Sequence, residues 1–162
     1  MTSFRNFING QWTVASDEAV FEQRNPAALN EVTGVWPACS RDDAQVAIEA
    51  AQAAFPAWAK LGVRQRAAFL KRALALMIER RQGIAAIISM ENGKTLAESL
   101  TEIDAAISEM DFQINEGLRL GGTTASSAKE GVFAYQNRVP LGVVSIISPW
   151  NFPFNVPCRQ AT

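Results

Sequence analysis

The run Val143-Val144-Ser145-Ile146-Ile147 constrains this chain more than any other stretch. It is apolar except at Ser145, and β-branched residues dominate it. Such a run suits a strand buried on both faces of a parallel sheet. Parallel strands need neighbours joined by crossovers, usually helices, so the run predicts an α/β fold. Pro149-Trp150-Asn151-Phe152-Pro153 follows almost at once. A buried strand that delivers a proline-locked loop is a common way to aim a functional side chain. Here that side chain is Asn151, held between an indole and a phenyl ring.

Composition removes several function classes. A length of 162 residues normally means one domain, and 48% hydrophobic with 19% charged residues is a globular balance. A net charge of −1 gives no electrostatic case for nucleic acid or an acidic membrane surface. The N-terminus lacks a signal-peptide core, and no run reaches membrane-spanning length. The expectation is a soluble cytoplasmic protein. The absence of histidine excludes a Ser-His-Asp triad and His-ligated zinc within the chain. Cys39 and Cys158 form no metal-type pair, so neither a metal site nor a disulfide is implied.

Taken in order, Phe7-Ile8-Asn9-Gly10-Gln11-Trp12 predicts a β-hairpin, because Asn-Gly tolerates the positive φ of a type I′ turn. Arg24-Asn25-Pro26 reads as a turn, and Glu31 to Trp36 as a short strand closed by Pro37. Ser40 caps a helix whose first turn carries Asp42 and Asp43. Its apolar face is Ala44, Ala47, Ile48, Ala51 and Phe55, and Pro56 is expected to end it. A second helix begins near Arg64 with a buried stripe of Leu70, Ala73, Leu74 and Met77. Its basic residues read as a solvated face. Ile84, Ile87 and Ile88 mark a third helix stopped at Gly93. Thr95-Leu96-Ala97-Glu98 is a capping box for the longest helix. The stripe of that helix runs Leu96, Leu100, Ile103, Ile107, Met110, Ile114, Leu118, and fits packing on a neighbouring element better than a coiled coil. Gly121 to Ser127 reads as a flexible connection, and Val132 to Val139 as an antiparallel or edge strand. One parallel-type strand cannot cover four amphipathic helices, so exposed apolar helix faces are expected.

Two motifs tempt and fail. Gly93-Lys94-Thr95 is similar to the end of a phosphate-binding loop, but the position five before Gly93 is Ile88 and the turn joins two helices. No G-x-G-x-x-G occurs either. Cys158 has no base nearby, although Arg159 can lower a thiol pKa, and it reads as a small buried thiol. Asn151 keeps two readings. It satisfies loop backbone groups, as asparagines often do, or it offers a fixed N–H donor to a developing oxyanion.

Pro149-Trp150-Asn151-Phe152-Pro153, after Leu141-Gly142-Val143-Val144-Ser145-Ile146-Ile147, resembles the signature loop of the NAD(P)-dependent aldehyde dehydrogenases. Phe7 to Trp12, Asn25-Pro26-Ala27, Ala53-Ala54-Phe55-Pro56-Ala57-Trp58 and Glu91-Asn92-Gly93-Lys94 recur in that family in similar order. The resemblance implies an incomplete, N-terminal part of that family's α/β fold. Residues 1–129 would be part of the cofactor-binding domain, residues 130–140 a strand of the oligomerisation arm, and residues 141–162 the first Rossmann-type strand, the active-site loop and the start of a helix. It implies oxidation of a small aldehyde with NAD or NADP, in a homo-oligomer. Asn151 would hold the oxyanion, Ile147, Ser148, Pro149 and Trp150 would line the cofactor, and Phe152 would face the substrate channel. Arg159, eight residues past Asn151, stands where branches acting on succinate semialdehyde and similar acids carry an arginine, and a guanidinium suits a carboxylate. A surface or oligomer-interface arginine is the alternative. Trp150 argues mildly against the coenzyme-A-acylating methylmalonate-semialdehyde branch. The family's catalytic cysteine, glutamate and cofactor lysine have no counterparts here, so an inactive fragment is expected. The rival is a non-catalytic helical module that binds a partner through the Leu96–Leu118 stripe.

Overall fold

The computed structural model describes residues 2–162. The first hairpin forms where Asn9-Gly10 requires it. β1 (Asn6–Ile8) pairs antiparallel with β2 (Gln11–Thr13), with Phe7 opposite Trp12. Asn9 and Gly10 take φ of 50° and 75°, the left-handed pair a type I′ turn demands. A larger hairpin follows: β3 (Val20–Asn25) against β4 (Ala28–Pro37), with register shifts at Arg24. The expected strand at Glu31 to Trp36 is thus the C-terminal part of β4, and β3 is an element the sequence did not announce. Gly34 leaves room for the Phe4 ring, which stacks on Trp36 at 4.1 Å between centroids.

α1 (Arg41–Lys60) starts at Ser40, whose hydroxyl accepts from the Asp43 N–H while the Asp43 carboxylate accepts from the Ser40 N–H. The helix runs through Pro56, contrary to expectation. A proline forfeits one main-chain bond and crowds the preceding turn; on this fully peripheral helix the four remaining residues still close their own bonds. α1 has no buried residue. Its apolar face instead borders an open groove with residues 141–145.

α2 (Val63–Glu79), α3 (Arg81–Asn92) and α4 (Leu96–Leu118) form the body. α4 is the pillar. One core cluster joins it to α2 through Ala67, Leu74, Met110 and Ile114. A second joins it to α3 through Ala85, Ile88 and Ile103. Ala73 is exposed, which corrects the α2 stripe; Ala67, two turns before Leu74, takes the buried place. The α4 stripe from Ile103 to Ile114 is therefore spent on neighbouring helices of the same chain, which removes the surface that a partner-binding module needs. The largest fully buried side chains all belong to α4: Ile103, Glu102 and Ser99.

The remainder is thinner. β5 (Thr123–Ala125) pairs antiparallel with β6 (Ala134–Gln136), so part of the expected connection is a strand, and the expected strand at Val132 to Val139 is shorter. α5 (Asn155–Ala161) ends the chain. Val143–Ile147 forms no strand; among the described residues β-pairing lies elsewhere, in three two-stranded sheets and an isolated Ser3–Val35 bridge. A parallel strand exists only beside a partner, and none of the described residues supplies one. Leu141 and Ile147 are 96% and 88% exposed.

The chain exposes 11848 Å², whereas a compact chain of 17.6 kDa exposes about 7,900 Å². Exposed apolar side chains on α1 (Val46, Ile48, Trp58) and on the run 141–147 are part of that surface, in line with the expectation of uncovered helices. No helix among the described residues is long and apolar enough to cross a membrane.

Candidate active-site loop

The segment 148–154 is fixed by hydrogen bonds to its main chain, delivered from two turns of the helical body. Gly93 caps α3 in the left-handed region at φ 83°, closing against Ser89. This abrupt reversal turns Asn92 and Lys94 toward the loop. Asn92 Nδ2 donates to the Trp150 carbonyl at 2.9 Å, and Lys94 Nζ donates to the Asn151 carbonyl at 2.8 Å. The same ammonium stands 4.8 Å from the centroid of the Phe152 ring, within cation–π range. The turn that resembled a phosphate loop is thus a clamp for a neighbouring loop.

Glu102 completes the arrangement. It lies on the buried face of α4 with Ser99, Ile103 and Ala106, and is 1% exposed. One carboxylate oxygen accepts from Lys94 Nζ at 2.6 Å. The other accepts from the N–H groups of Phe154 at 2.8 Å and Asn155 at 3.0 Å. These are two of the otherwise unpaired donors where α5 begins. Burial alone drives this carboxyl upward, but the Lys94 ammonium and the Asn155 and Phe154 N–H groups outweigh it and hold it below its ordinary value. Sequence reading missed Glu102, although an acid set among Ser99, Ile103 and Ala106 at helical spacing is a legible signal.

The loop's side chains are left open. Asn151 is exposed, and its amide makes no hydrogen bond among the described residues. With Phe152 it borders a cavity of about 440 Å³ walled by Lys94, Glu98, Thr101, Glu102 and Ala105. Trp150 turns the other way, onto a groove of about 590 Å³ between β3–β4 and α3, lined also by Phe21, Trp36 and Ile87. The indole is 81% exposed. Ser148 Oγ donates to Gln160 Oε1 at 2.7 Å, which ties the start of the loop to α5. Ile147 and Pro149 are exposed.

The expected residues therefore split. Asn151 and Phe152 share one cavity; Ile147, Ser148, Pro149 and Arg159 lie outside its lining. Arg159 faces α4, with Nε 3.5 Å from Glu109 Oε2. Burial, and then the Glu102 charge, push the Cys158 thiol up, so Arg159 does not activate it and the small-thiol reading stands.

The chain matches the Aldehyde dehydrogenase family over residues 12–162. It is 36% identical over 155 residues to alpha-ketoglutaric semialdehyde dehydrogenase of Bacillus subtilis (strain 168), covering 96% of this chain and 32% of that protein. It is 34% identical over 154 residues to an NADP(+) succinate-semialdehyde dehydrogenase of Escherichia coli (strain K12), covering 95% and 32%. Among solved structures, a succinate-semialdehyde dehydrogenase from Burkholderia pseudomallei superimposes with a TM-score of 0.93 at 35% identity, over 97% of this chain and 32% of that one. An NADP-dependent enzyme of E. coli gives a TM-score of 0.94 at 33% identity, over 99% and 33%. The chain spans about a third of the length of these relatives. A loop clamped by its backbone, the matched residues and the shared fold agree: the chain belongs to the aldehyde dehydrogenase family.

Proposed function

We propose that the protein carrying this chain oxidises an aldehyde to the carboxylic acid with NAD(P)+, and that these residues supply one wall of its active site. The supporting observation is the Asn151 loop. Its backbone is fixed by Asn92, Lys94 and Glu102, while the Asn151 amide stays unengaged beside a cavity. A donor held this way loses no hydrogen bond of its own when negative charge develops on a substrate oxygen. The nucleophilic thiolate and the base that activates water belong to parts of the family's sequence that this chain does not match, and Cys158 is not promoted to that role. Ile147 and Trp150 present open apolar surface, which suits the rings of a dinucleotide beside Ser148 and Pro149. The bound cofactor would accept the hydride released as the aldehyde carbon is oxidised.

The names of the semialdehyde dehydrogenases the chain resembles support a carboxylate-bearing aldehyde as substrate, whose carboxylate Arg159 would take in place of Glu109. Phe152 would border the channel. We further propose the division into residues 1–129, 130–140 and 141–162 outlined above, a homo-oligomer using the β5–β6 arm with its exposed Phe133 and Tyr135, a cytoplasmic location, and no turnover by the 162 residues alone. In the complete enzyme, Asn151→Ala should lower kcat by about 10²–10³, and Arg159→Ala should raise KM for succinate semialdehyde and not for a neutral aldehyde of equal length. An unchanged kcat in the first variant overturns the oxyanion role. An unchanged KM in the second overturns the substrate class. Aldehyde-dependent NADH formation by the purified 162-residue chain overturns its inactivity.

A further inference from the structure

Glu102 is a wholly buried carboxylate that the chemistry above does not use. Buried acids are retained only where partners compensate them, and every partner of this one leads to the loop. One oxygen takes Lys94, whose ammonium also holds the Asn151 carbonyl at 2.8 Å. The other takes the main-chain N–H groups of Phe154 and Asn155. The loop is thus held on both sides of Phe152: at the carbonyl of Asn151 and at the first two amides of the α5 junction. A single carboxylate on the rigid pillar α4 sets the distance between those two points. Lys94 has its own reason to be there, because the left-handed Gly93 cap fixes where its backbone leaves α3.

We propose that the Lys94–Glu102 pair is a positioning device for catalysis, in which Glu102, through Lys94 and the Phe154 and Asn155 amides, sets the place of the Asn151 side-chain donor. Both line the cavity beside Asn151, and both act here as positioning residues, through the loop main chain. The inference rests on the reading of Asn151 as the oxyanion donor. It explains why the ion pair stands against this loop, with Lys94 15% and Glu102 1% exposed, whereas Arg81–Asp104 is far more open at 31% and 55%. A donor displaced by about 1 Å loses most of its transition-state selectivity and costs about 10²-fold in rate.

The test is a double-mutant cycle in the complete enzyme. Glu102→Gln keeps the shape and an oxygen for the two amides, but turns an N–H₂ toward the Lys94 ammonium and so frees the Asn151 carbonyl. It should lower kcat by roughly 10- to 100-fold with little change in KM for the aldehyde. In an Asn151→Ala background the same change should cost almost nothing further, since the donor it positions is already gone. A residue that merely holds the fold together multiplies its loss onto Asn151→Ala, and that result overturns the inference while leaving the oxyanion role intact. So does a Glu102→Gln enzyme with unchanged kcat. An Asn151→Ala enzyme with unchanged kcat overturns both. Should Glu102→Gln fail to fold, Lys94→Met decides by the same cycle, because it leaves Glu102 its two amide donors.

Discussion

Lys94→Met is expected to loosen the 148–162 segment by a calculable amount. Removing one partner of a fully buried pair costs about 3–5 kcal/mol, because the other charge is stranded. Here the penalty is smaller. Glu102 keeps the N–H groups of Phe154 and Asn155, and the Lys94 side chain is 15% exposed, so water reaches the vacated place. A hydrogen bond to a charged group contributes about 1.5–3 kcal/mol, and about 2 kcal/mol is the working figure. At 1.36 kcal/mol per decade this is about a thirtyfold loss of protection. Peptide-resolved amide hydrogen exchange reads it locally, without requiring two-state unfolding of a large protein. The pH dependence gives a second check. The Glu102 carboxyl sits below its ordinary value in the native protein. Its contribution is therefore complete above the unfolded value of about 4.3 and is lost as pH falls through the native one. The gap between wild type and variant, compared at matched pH, should be full at neutrality and narrow below about pH 4. A gap under about threefold at neutral pH, or one that widens on acidification, refutes the buried-pair account.

Four further outcomes follow from other parts of the structure. Ile103 is fully buried between α3 and α4, so Ile103→Ala should cost about 2–5 kcal/mol in denaturant titrations. Ser40→Ala should cost about 1 kcal/mol by removing the α1 cap. Main-chain and hydroxyl hydrogen bonds from Ser40 lower the Asp43 pKa to about 2, so protection at the start of α1, taken relative to intrinsic exchange at the same pH, should be full above about pH 4 and decline as pH falls toward that value. Gly93→Ala meets Pro26 Cγ 2.7 Å from the added Cβ, in a left-handed conformation, and should cost at least about 1–2 kcal/mol in melting experiments.

What the sequence displayed was local. Asn9-Gly10 specifies its own turn, Ser40 and Thr95 their own helix starts, and Gly93 its own cap, because each is decided within a few residues. The Asn151 loop was legible as a rigid display for the same reason. Elements that depend on distant partners were not. Val20–Asn25 carries only two apolar residues before Glu22, Gln23 and Arg24, and becomes a strand because β4 lies beside it. Val143–Ile147 has the composition of a buried strand and remains unpaired, because composition cannot supply neighbours. Pro56 ends nothing, since the bond it forfeits is only one of those holding a helix of 20 residues. The role of Glu102 was not legible because an apolar stripe marks a buried face by its leucine, isoleucine and methionine, and an acid beside Ile103 shows its buried role only once Lys94 and the Phe154 and Asn155 amides are beside it.

The open run 141–147 has a consequence for biosynthesis. A short, uncharged, β-branched segment with free edges is the pattern that seeds cross-β self-assembly, and a nascent chain displays it until a partner strand arrives. Pro140 and Pro149 bracket the run. Neither has an N–H to give, so strand addition between chains stops at both ends. The same prolines that stiffen the approach to Asn151 thereby limit how far such pairing between chains can extend.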